Sequence, residues 1–189
     1  PEKIEKKLKE NFNIILNKTD KKLSYTELKK KVSQIDILIP CVSDTIDASI
    51  IKSAKKLKLI ANFGNGVDNL DLVTAREENV VVTNTPDVLT EDTADLVLTL
   101  VLMISRKVVE AQKKISGGRW SGWGPSETMG ERIRGKNFGI IGMGRIGKAV
   151  AKRLNILGVK IFYHNRNRLK RNEEKGLKAK YFENLDLMI

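Results

Sequence analysis

The stretch that decides the fold of this chain is FGIIGMGRIG, residues 138–147. A short apolar strand ends at Ile141, three glycines follow at the spacing GxGxxG, and residues 148–157 continue as a helix. Residues 159–163 form the next predicted strand, so the glycines lie within one βαβ unit. This context makes the motif informative, because GxGxxG alone is weak evidence. The stretch therefore predicts an α/β fold with a parallel sheet.

Each glycine of this turn has a physical role in binding a dinucleotide. Gly142 permits the tight turn, Gly144 lets the backbone approach a pyrophosphate, and Gly147 lets the helix pack closely on the strand. Free N–H groups at the start of the helix, at Arg145 and Ile146, face the anion. The alternative is a tight turn without a ligand. The pattern favours a cofactor site formed by the three glycines together with Arg145 and Ile146.

The end of the next strand indicates which dinucleotide binds. NAD sites usually carry Asp or Glu about 20 residues further on, where the carboxylate accepts hydrogen bonds from ribose hydroxyls. Here Asn165 occupies this position, Arg166 and Arg168 follow it, and residues 132–172 contain no Asp or Glu. Guanidinium groups pair with a 2′-phosphate, which a carboxylate would repel. The sequence thus favours NADP over NAD, with an ordinary basic loop as the alternative, and leaves open which arginine lies closer to the phosphate.

The rest of the chain alternates predicted strands and helices, as in parallel sheets covered on both faces. Short strands are predicted at 14–16, 35–39, 59–63 and 80–83, and helices after the caps Ser24, Asp47 and Asp71. A long helix is predicted from Glu91 to Lys114, with Thr90 as its cap. Because residues 96–104 are apolar nearly all round, this helix must pack between two domains or against a second subunit.

Composition argues against several classes of protein. The single cysteine, Cys41, excludes a disulfide scaffold, and one cysteine with one histidine argues against a zinc site. No apolar run reaches the roughly 20 residues that span a bilayer, so we expect no membrane partner and a cytoplasmic protein. The net charge of +12 would suit a nucleic-acid binder, but aromatic residues make up only 5%, too few for base stacking. A solvated basic surface, without a nucleic-acid partner, is the favoured interpretation.

Several stretches together resemble the D-isomer-specific 2-hydroxyacid dehydrogenases, particularly the glyoxylate and hydroxypyruvate reductases. These stretches are GNGVDN at 64–69, NTP at 84–86, TAD at 93–95, GRW at 118–120 with Trp123 and Pro125, and Gly135 leading into the glycine turn. Their combination spans most of the chain. The resemblance implies a flavodoxin-like lid domain at residues 1–84, without its first strand, and a truncated Rossmann domain at 85–189, with the site in the cleft between them.

The resemblance also implies roles for residues outside the glycine turn. Asn65, Gly66 and Val67 would offer backbone N–H groups to the substrate carboxylate, and Thr93 would lie near the cofactor. The helix from Glu91 to Lys114 and the loop from Trp120 to Trp123 would form a homodimer.

The activity that the resemblance implies is hydride transfer between NADPH and a small 2-oxo acid, giving the D-2-hydroxy acid. The family's catalytic Arg, Glu and His come after the part of the family pattern that residues 1–189 match. We therefore expect no catalytic residue before Ile189 and no turnover by this segment alone. His164 follows the second Rossmann strand on the adenine side and is expected to be a solvent-edge residue. Two alternatives stay open: an NAD-linked dehydrogenase of the phosphoglycerate type, and a dinucleotide-sensing module similar to transcriptional corepressors.

Overall fold

The computed structural model of this chain describes residues 2–19 and 21–189. The chain divides into two compact units, Pro1–Pro86 and Asp87–Ile189. Each unit has its own parallel three-stranded sheet and its own apolar core. The α/β class with parallel sheets, predicted from the glycine turn and the alternation of elements, is confirmed.

The first unit builds its sheet from short strands separated by helices. The helices are α1 (Glu2–Lys9), α2 (Tyr25–Val32), α3 (Ala48–Ser53) and α4 (Leu72–Glu77), and the strands are β1 (Ile37–Leu38), β2 (Leu59–Ala61) and β3 (Val81–Thr83). The strand order is β1-β2-β3, with Ile60 of the central strand opposite Leu38 and Val82. Ile60 is fully buried, together with Ile50 of α3 and Val32 of α2.

The structure confirms the predicted helix caps of this unit. Caps can be predicted because capping depends on local sequence. Ser24 and Glu27 form a capping box, and the carboxylate of Glu27 accepts the Ser24 N–H at 3.0 Å. Asp47 and Asp71 each accept the N–H three residues further on, at 2.9 Å. The predicted strand at residues 14–16 is wrong. Among the described residues no strand lies beside it, and Ile15 is 57% exposed.

The second unit surrounds a sheet with the order β4-β5-β6. Its elements are α5 (Thr90–Ser105), α6 (Val108–Ser116), β4 (Asn137–Ile141), α7 (Arg145–Ile156), β5 (Lys160–His164), α8 (Arg171–Leu177) and β6 (Ala179–Tyr181). Helices α5 and α7 pack against each other. Arg153 of α7 joins them through ion pairs with Glu91 at 2.8 Å and Asp95 at 2.6 Å.

The long helix predicted from Glu91 to Lys114 is wrong, because the structure has two helices there. Lys107, between them, has a left-handed φ of 52°. The backbone N–H of Glu131 donates to the Ser105 carbonyl at 2.6 Å, and thus occupies an acceptor that a continuous helix would use itself. Thr90 is also not the cap of α5. The N-cap is Leu89, which makes no side-chain capping bond.

Candidate functional site

The glycine turn lies where β4 ends and α7 begins. Gly142 has a φ of +97°, a conformation that glycine adopts without a steric penalty. A Cβ at Gly147 would clash with the carbonyl oxygen of Gly142, so the helix approaches the turn too closely for a side chain. At Gly144 a Cβ would meet nothing within 4 Å. The turn therefore has the tight geometry expected of it and leaves open space beside Gly144.

The first turn of α7 offers N–H groups that no protein acceptor uses. The N-cap is Gly144, which has no side chain to cap the helix. Within the described residues, the N–H groups of Arg145, Ile146 and Gly147 make no hydrogen bond. Unpaired N–H groups at the positive end of a helix of 12 residues attract an anion. The open space at Gly144 and these donors fit the pyrophosphate of a dinucleotide.

Asn165, at the end of β5, is bonded directly to the glycine turn. Its side-chain Oδ1 accepts the N–H of Met143 at 2.6 Å. Its backbone carbonyl accepts the hydroxyl of Tyr181 at 3.2 Å, and the adjacent His164 carbonyl accepts the N–H of Gly142 at 2.9 Å. Oδ1 is turned toward Met143, and among the described residues the Nδ2 donor of Asn165 is left without a protein partner.

The two arginines after Asn165 have different surroundings. Arg168 donates from Nε and Nη2 to the two carboxylate oxygens of Glu174, at 2.8 and 2.9 Å, and lies over the ring of Tyr181. The side chain of Arg166 is exposed and has no hydrogen bond or ion pair within the described part of the chain. Of the two, Arg166 is therefore the guanidinium available to an anion.

Glu174 is a residue that the sequence analysis missed, because it comes from the next helix. Its side chain is nearly buried, and it also accepts the hydroxyl of the fully buried Tyr163 at 2.7 Å. The hydrogen bonds from Arg168 and then Tyr163 lower the pKa of Glu174 to about 2. Burial, followed by the bond to Glu174, raises the pKa of Tyr163 to about 12. Glu174 is thus ionised at neutral pH, and its charge is balanced by Arg168.

The loop at residues 64–68 of the first unit turns its carbonyl groups toward protein donors. Four consecutive carbonyl oxygens accept hydrogen bonds: Gly64 from the Thr85 N–H at 2.9 Å, Asn65 from Asn84 Nδ2 at 2.7 Å, Gly66 from Asn62 Nδ2 at 2.8 Å, and Val67 from the Leu70 N–H at 3.0 Å. In contrast, the N–H groups of residues 65–68 donate to no acceptor in the described chain. Such unpaired backbone donors favour an anion.

The side-chain amides of Asn62 and Asn69 hold this loop in place by hydrogen bonds. The role of Asn62 was not predicted. Asn62 is 1% exposed, and its amide group exchanges hydrogen bonds with that of Asn69 at 3.2 and 3.3 Å. Asn69 Nδ2 also donates to the Asp44 carbonyl at 3.0 Å. The two amides therefore connect the loop to the turn at Asp44, and two asparagines flanking a glycine loop were the available signal.

Among the described residues, Thr93, the remaining predicted site residue, makes no hydrogen bond with the glycine turn or with the loop at residues 64–68. Thr93 is half-buried in the first turn of α5, and its hydroxyl makes no hydrogen bond within the described residues. Its role near the cofactor stays a prediction. His164, which was expected to be a solvent-edge residue and not a site residue, is half-buried, and its Nδ1 contacts the Phe182 carbonyl at 3.0 Å.

Neither metal-binding clusters nor membrane spans occur in the part of the chain that the structure describes. Residues 2–19 and 21–189 contain no group of three or more His, Cys, Asp or Glu placed to hold a metal ion. In the same ranges no helix has the length and apolar character needed to cross a bilayer.

Comparison with known proteins identifies the family. A family model for the catalytic domain of D-isomer specific 2-hydroxyacid dehydrogenases matches residues 1–180. The family is NAD(P)-dependent and acts on small 2-hydroxy and 2-oxo acids. The glyoxylate reductase of Thermococcus litoralis is 40% identical over 187 residues, which cover 97% of this chain and 56% of that protein. The glyoxylate reductase of Pyrococcus horikoshii is 38% identical over 187 residues, which again cover 97% of this chain and 56% of that protein. The chain thus spans just over half the length of these relatives.

Solved structures agree with this match. A protein from Thermus thermophilus has a TM-score of 0.87 and 40% identity, covering 95% of this chain and 56% of its own. A 2-hydroxyacid dehydrogenase from Ketogulonicigenium vulgare has a TM-score of 0.76 and 29% identity, covering 97% of this chain and 56% of its own. The family match covers nearly the whole sequence, and both glyoxylate reductases exceed 30% identity. The chain therefore belongs to the D-isomer specific 2-hydroxyacid dehydrogenase family.

Proposed function

We propose that the protein containing this chain reduces a small 2-oxo acid of the glyoxylate or hydroxypyruvate type with NADPH, giving the D-2-hydroxy acid. The observation that carries the cofactor preference is the exposed guanidinium of Arg166 beside Asn165, whose Oδ1 is bonded to the glycine turn. The substrate class is supported by the glyoxylate reductases that are 38–40% identical to this chain.

The residues of the second unit would hold the cofactor, which supplies the hydride when it is bound. The free N–H groups of Arg145, Ile146 and Gly147 would bind the pyrophosphate. Asn165 Nδ2 and Arg166 would bind the 2′-phosphate, because both are donors and one is a cation. The carboxylate of Glu174, which pairs with the arginine of the same loop, does not oppose this, since Arg168 neutralises it.

The residues of the first unit would hold the substrate. The unpaired N–H groups of Asn65, Gly66 and Val67 would donate to the carboxylate of the 2-oxo acid. We propose that Pro1–Pro86 is the lid domain and Asp87–Ile189 the cofactor domain of this enzyme. The resemblance supplies no catalytic Arg, Glu or His within the chain, so residues 1–189 alone are expected to have no turnover.

We also propose that the protein is a homodimer. Helix α5 was expected to be buried on more than one side, yet in the single chain it exposes 58% of Leu96, 48% of Leu100 and 79% of Ile104. Trp123 is 91% exposed. Because Leu96, Leu100 and Ile104 recur every four residues, they share one face of α5. An exposed apolar face of this kind is typical of a protein interface, and a second copy would bury it.

The experiment that tests this function uses the full-length protein. The dissociation constants of NADPH and NADH are measured by nucleotide fluorescence, and turnover is measured with glyoxylate and hydroxypyruvate. We expect turnover of at least one of these acids and tighter binding of NADPH by about tenfold or more, the gain from one charge-assisted hydrogen bond. Equal affinity for the two nucleotides would disprove the cofactor preference, and absence of turnover with both acids would disprove the substrate class.

A further inference from the structure

The loop between β5 and α8, residues 165–170, is fixed at both ends and free at its apex. At the first end, Asn165 is bonded to Met143 and Tyr181. At the other end, the N–H of Leu169 donates to the hydroxyl of Tyr163 at 3.0 Å. Within the described residues, Arg166 and Asn167 make no hydrogen bond at all. Arg166 and Asn167 therefore have no hydrogen bond themselves but lie in a loop whose two ends are held in place.

Glu174 is the centre of the second anchor. Its carboxylate accepts both donors of the Arg168 guanidinium and the hydroxyl of Tyr163. Because Tyr163 also accepts the Leu169 N–H, one buried carboxylate fixes a side chain and, through the tyrosine, a backbone group of the same loop. No buried polar side-chain atom of the described chain is left without a partner, so this network is complete.

We propose that Glu174 is a positioning residue for cofactor selection: it holds Arg168 back and orders the loop so that Arg166 meets the 2′-phosphate of NADPH. This inference rests on the proposed function. It adds a residue that touches neither cofactor nor substrate and acts through Arg166.

Loss of Glu174 would have two opposing effects on NADPH. Arg168 would be released from its carboxylate and could attract the phosphate, but the ring of Tyr181, over which its guanidinium lies at 5.3 Å, would remain as its partner. The loop would also lose its order, and ordering it again becomes a cost of binding. The second effect is the larger, so NADPH binding weakens.

The test measures NADPH and NADH dissociation constants for full-length wild type, Glu174→Gln and Tyr163→Phe. The control is Glu183→Gln, which removes an equal charge from an exposed residue of the same unit. We expect NADPH binding to weaken by about two- to tenfold in both network variants, the range expected for ordering one long side chain, with NADH within about twofold of wild type. The control should match wild type, and thermal melting shows whether each variant is folded. Tyr163→Phe, which keeps the buried ring, serves if Glu174→Gln does not fold.

The Arg166→Ala background separates positioning from general destabilisation. If Glu174 acts through Arg166, Glu174→Gln should add no further loss of NADPH affinity there. Unchanged or tighter NADPH binding by Glu174→Gln, while wild type still prefers NADPH, would overturn the positioning role alone. Equal losses for NADPH and NADH would overturn it too, since they indicate a structural role. If wild type does not prefer NADPH and Arg166→Ala has no effect, the cofactor proposal fails and this inference fails with it.

Discussion

The N–H of Met143 donates to Oδ1 of Asn165 at 2.6 Å and joins the glycine turn to the end of the neighbouring strand. This bond turns Oδ1 toward the glycine turn and leaves Nδ2, a donor, without a partner among the described residues. The 2′-phosphate of NADPH has only acceptor oxygens and therefore needs a donor. The ribose hydroxyl of NADH can pair with a donor or with an acceptor. A single side chain thereby connects the proposed pyrophosphate and 2′-phosphate sites.

Asn165→Asp should shift the preference toward NADH. The aspartate keeps an acceptor for Met143 but replaces the Nδ2 donor with a charged oxygen, which repels the 2′-phosphate. We expect NADPH affinity to fall by about tenfold or more, the value of one charged hydrogen bond, with NADH affinity equal or higher. Fluorescence titration with both nucleotides measures this. An unchanged affinity ratio would show that Asn165 does not face the phosphate.

Arg166→Ala and Arg168→Ala should have different effects. Arg166 is exposed and unpaired among the described residues, so its loss should weaken NADPH binding by roughly 10- to 150-fold and leave the melting temperature unchanged. Loss of Arg168 leaves the nearly buried Glu174 without its cation, so the melting temperature should fall. Titration and thermal melting of both variants test this. A larger loss of NADPH affinity in Arg168→Ala than in Arg166→Ala would reverse the assignment.

Local features of this fold could be predicted from the sequence, and features that depend on distant segments could not. The glycine turn and the caps at Ser24, Asp47 and Asp71 depend on residues within a few positions, and the structure has them. The break at Lys107 coincides with a contact from a distant part of the chain, where the N–H of Glu131 donates to the Ser105 carbonyl. Periodicity alone contains no information about such a contact.

The same distinction applies to the candidate site. The unpaired residues at the turn and in the loop could be located by motif, because motifs describe the groups that meet a ligand. Glu174 could not, because its contribution is to hold Arg168 and Tyr163 of other segments. Asn62 holds the Gly66 carbonyl, and its place beside the glycine loop was the available signal for it. Only the folded structure distinguishes Arg168 from Arg166, which the sequence presents as equivalent.

Asn84→Ala should weaken substrate binding without affecting the cofactor. Its amide holds the Asn65 carbonyl, so the loop should lose order while the exposed site tolerates the change. We expect the KM for the 2-oxo acid to rise by about two- to tenfold, the equivalent of one neutral hydrogen bond, with an unchanged NADPH dissociation constant. The control is Asn17→Ala, which removes another exposed side-chain-to-backbone bond of the same unit. Equal KM values in both variants would count against the role of this loop.

Ile104→Glu should produce a monomer. Ile104 is 79% exposed on α5, so a charge there should spare the single chain but disrupt an apolar interface. Ile156→Glu is the matched control, because Ile156 is an isoleucine of the same unit that is 86% exposed at the end of α7. Light scattering at micromolar concentration measures the mass of each. A dimeric Ile104→Glu, or a monomeric wild type, would refute the proposed interface.

The contribution of Glu174 to stability should depend on pH in a definite direction. Its pKa is lowered from 4.5 to about 2 on folding, mainly by Arg168 and then by Tyr163, so the ionised carboxylate stabilises the fold. A lowered pKa gives stability that is fully present above pH 4.5 and is lost as the pH falls toward 2. Urea unfolding of wild type and Glu174→Gln should therefore give free energies of unfolding that differ most at pH 7 and converge as the pH approaches 2.

The neighbouring Glu173 provides the matched control for this pH dependence. Lys148 pairs with Glu173 on the more exposed side of the same helix, so Glu173→Gln should show a smaller difference from wild type at pH 7. A difference for Glu174→Gln that persists undiminished at the acid end of the series would mean that packing, and not the charge of Glu174, stabilises this loop.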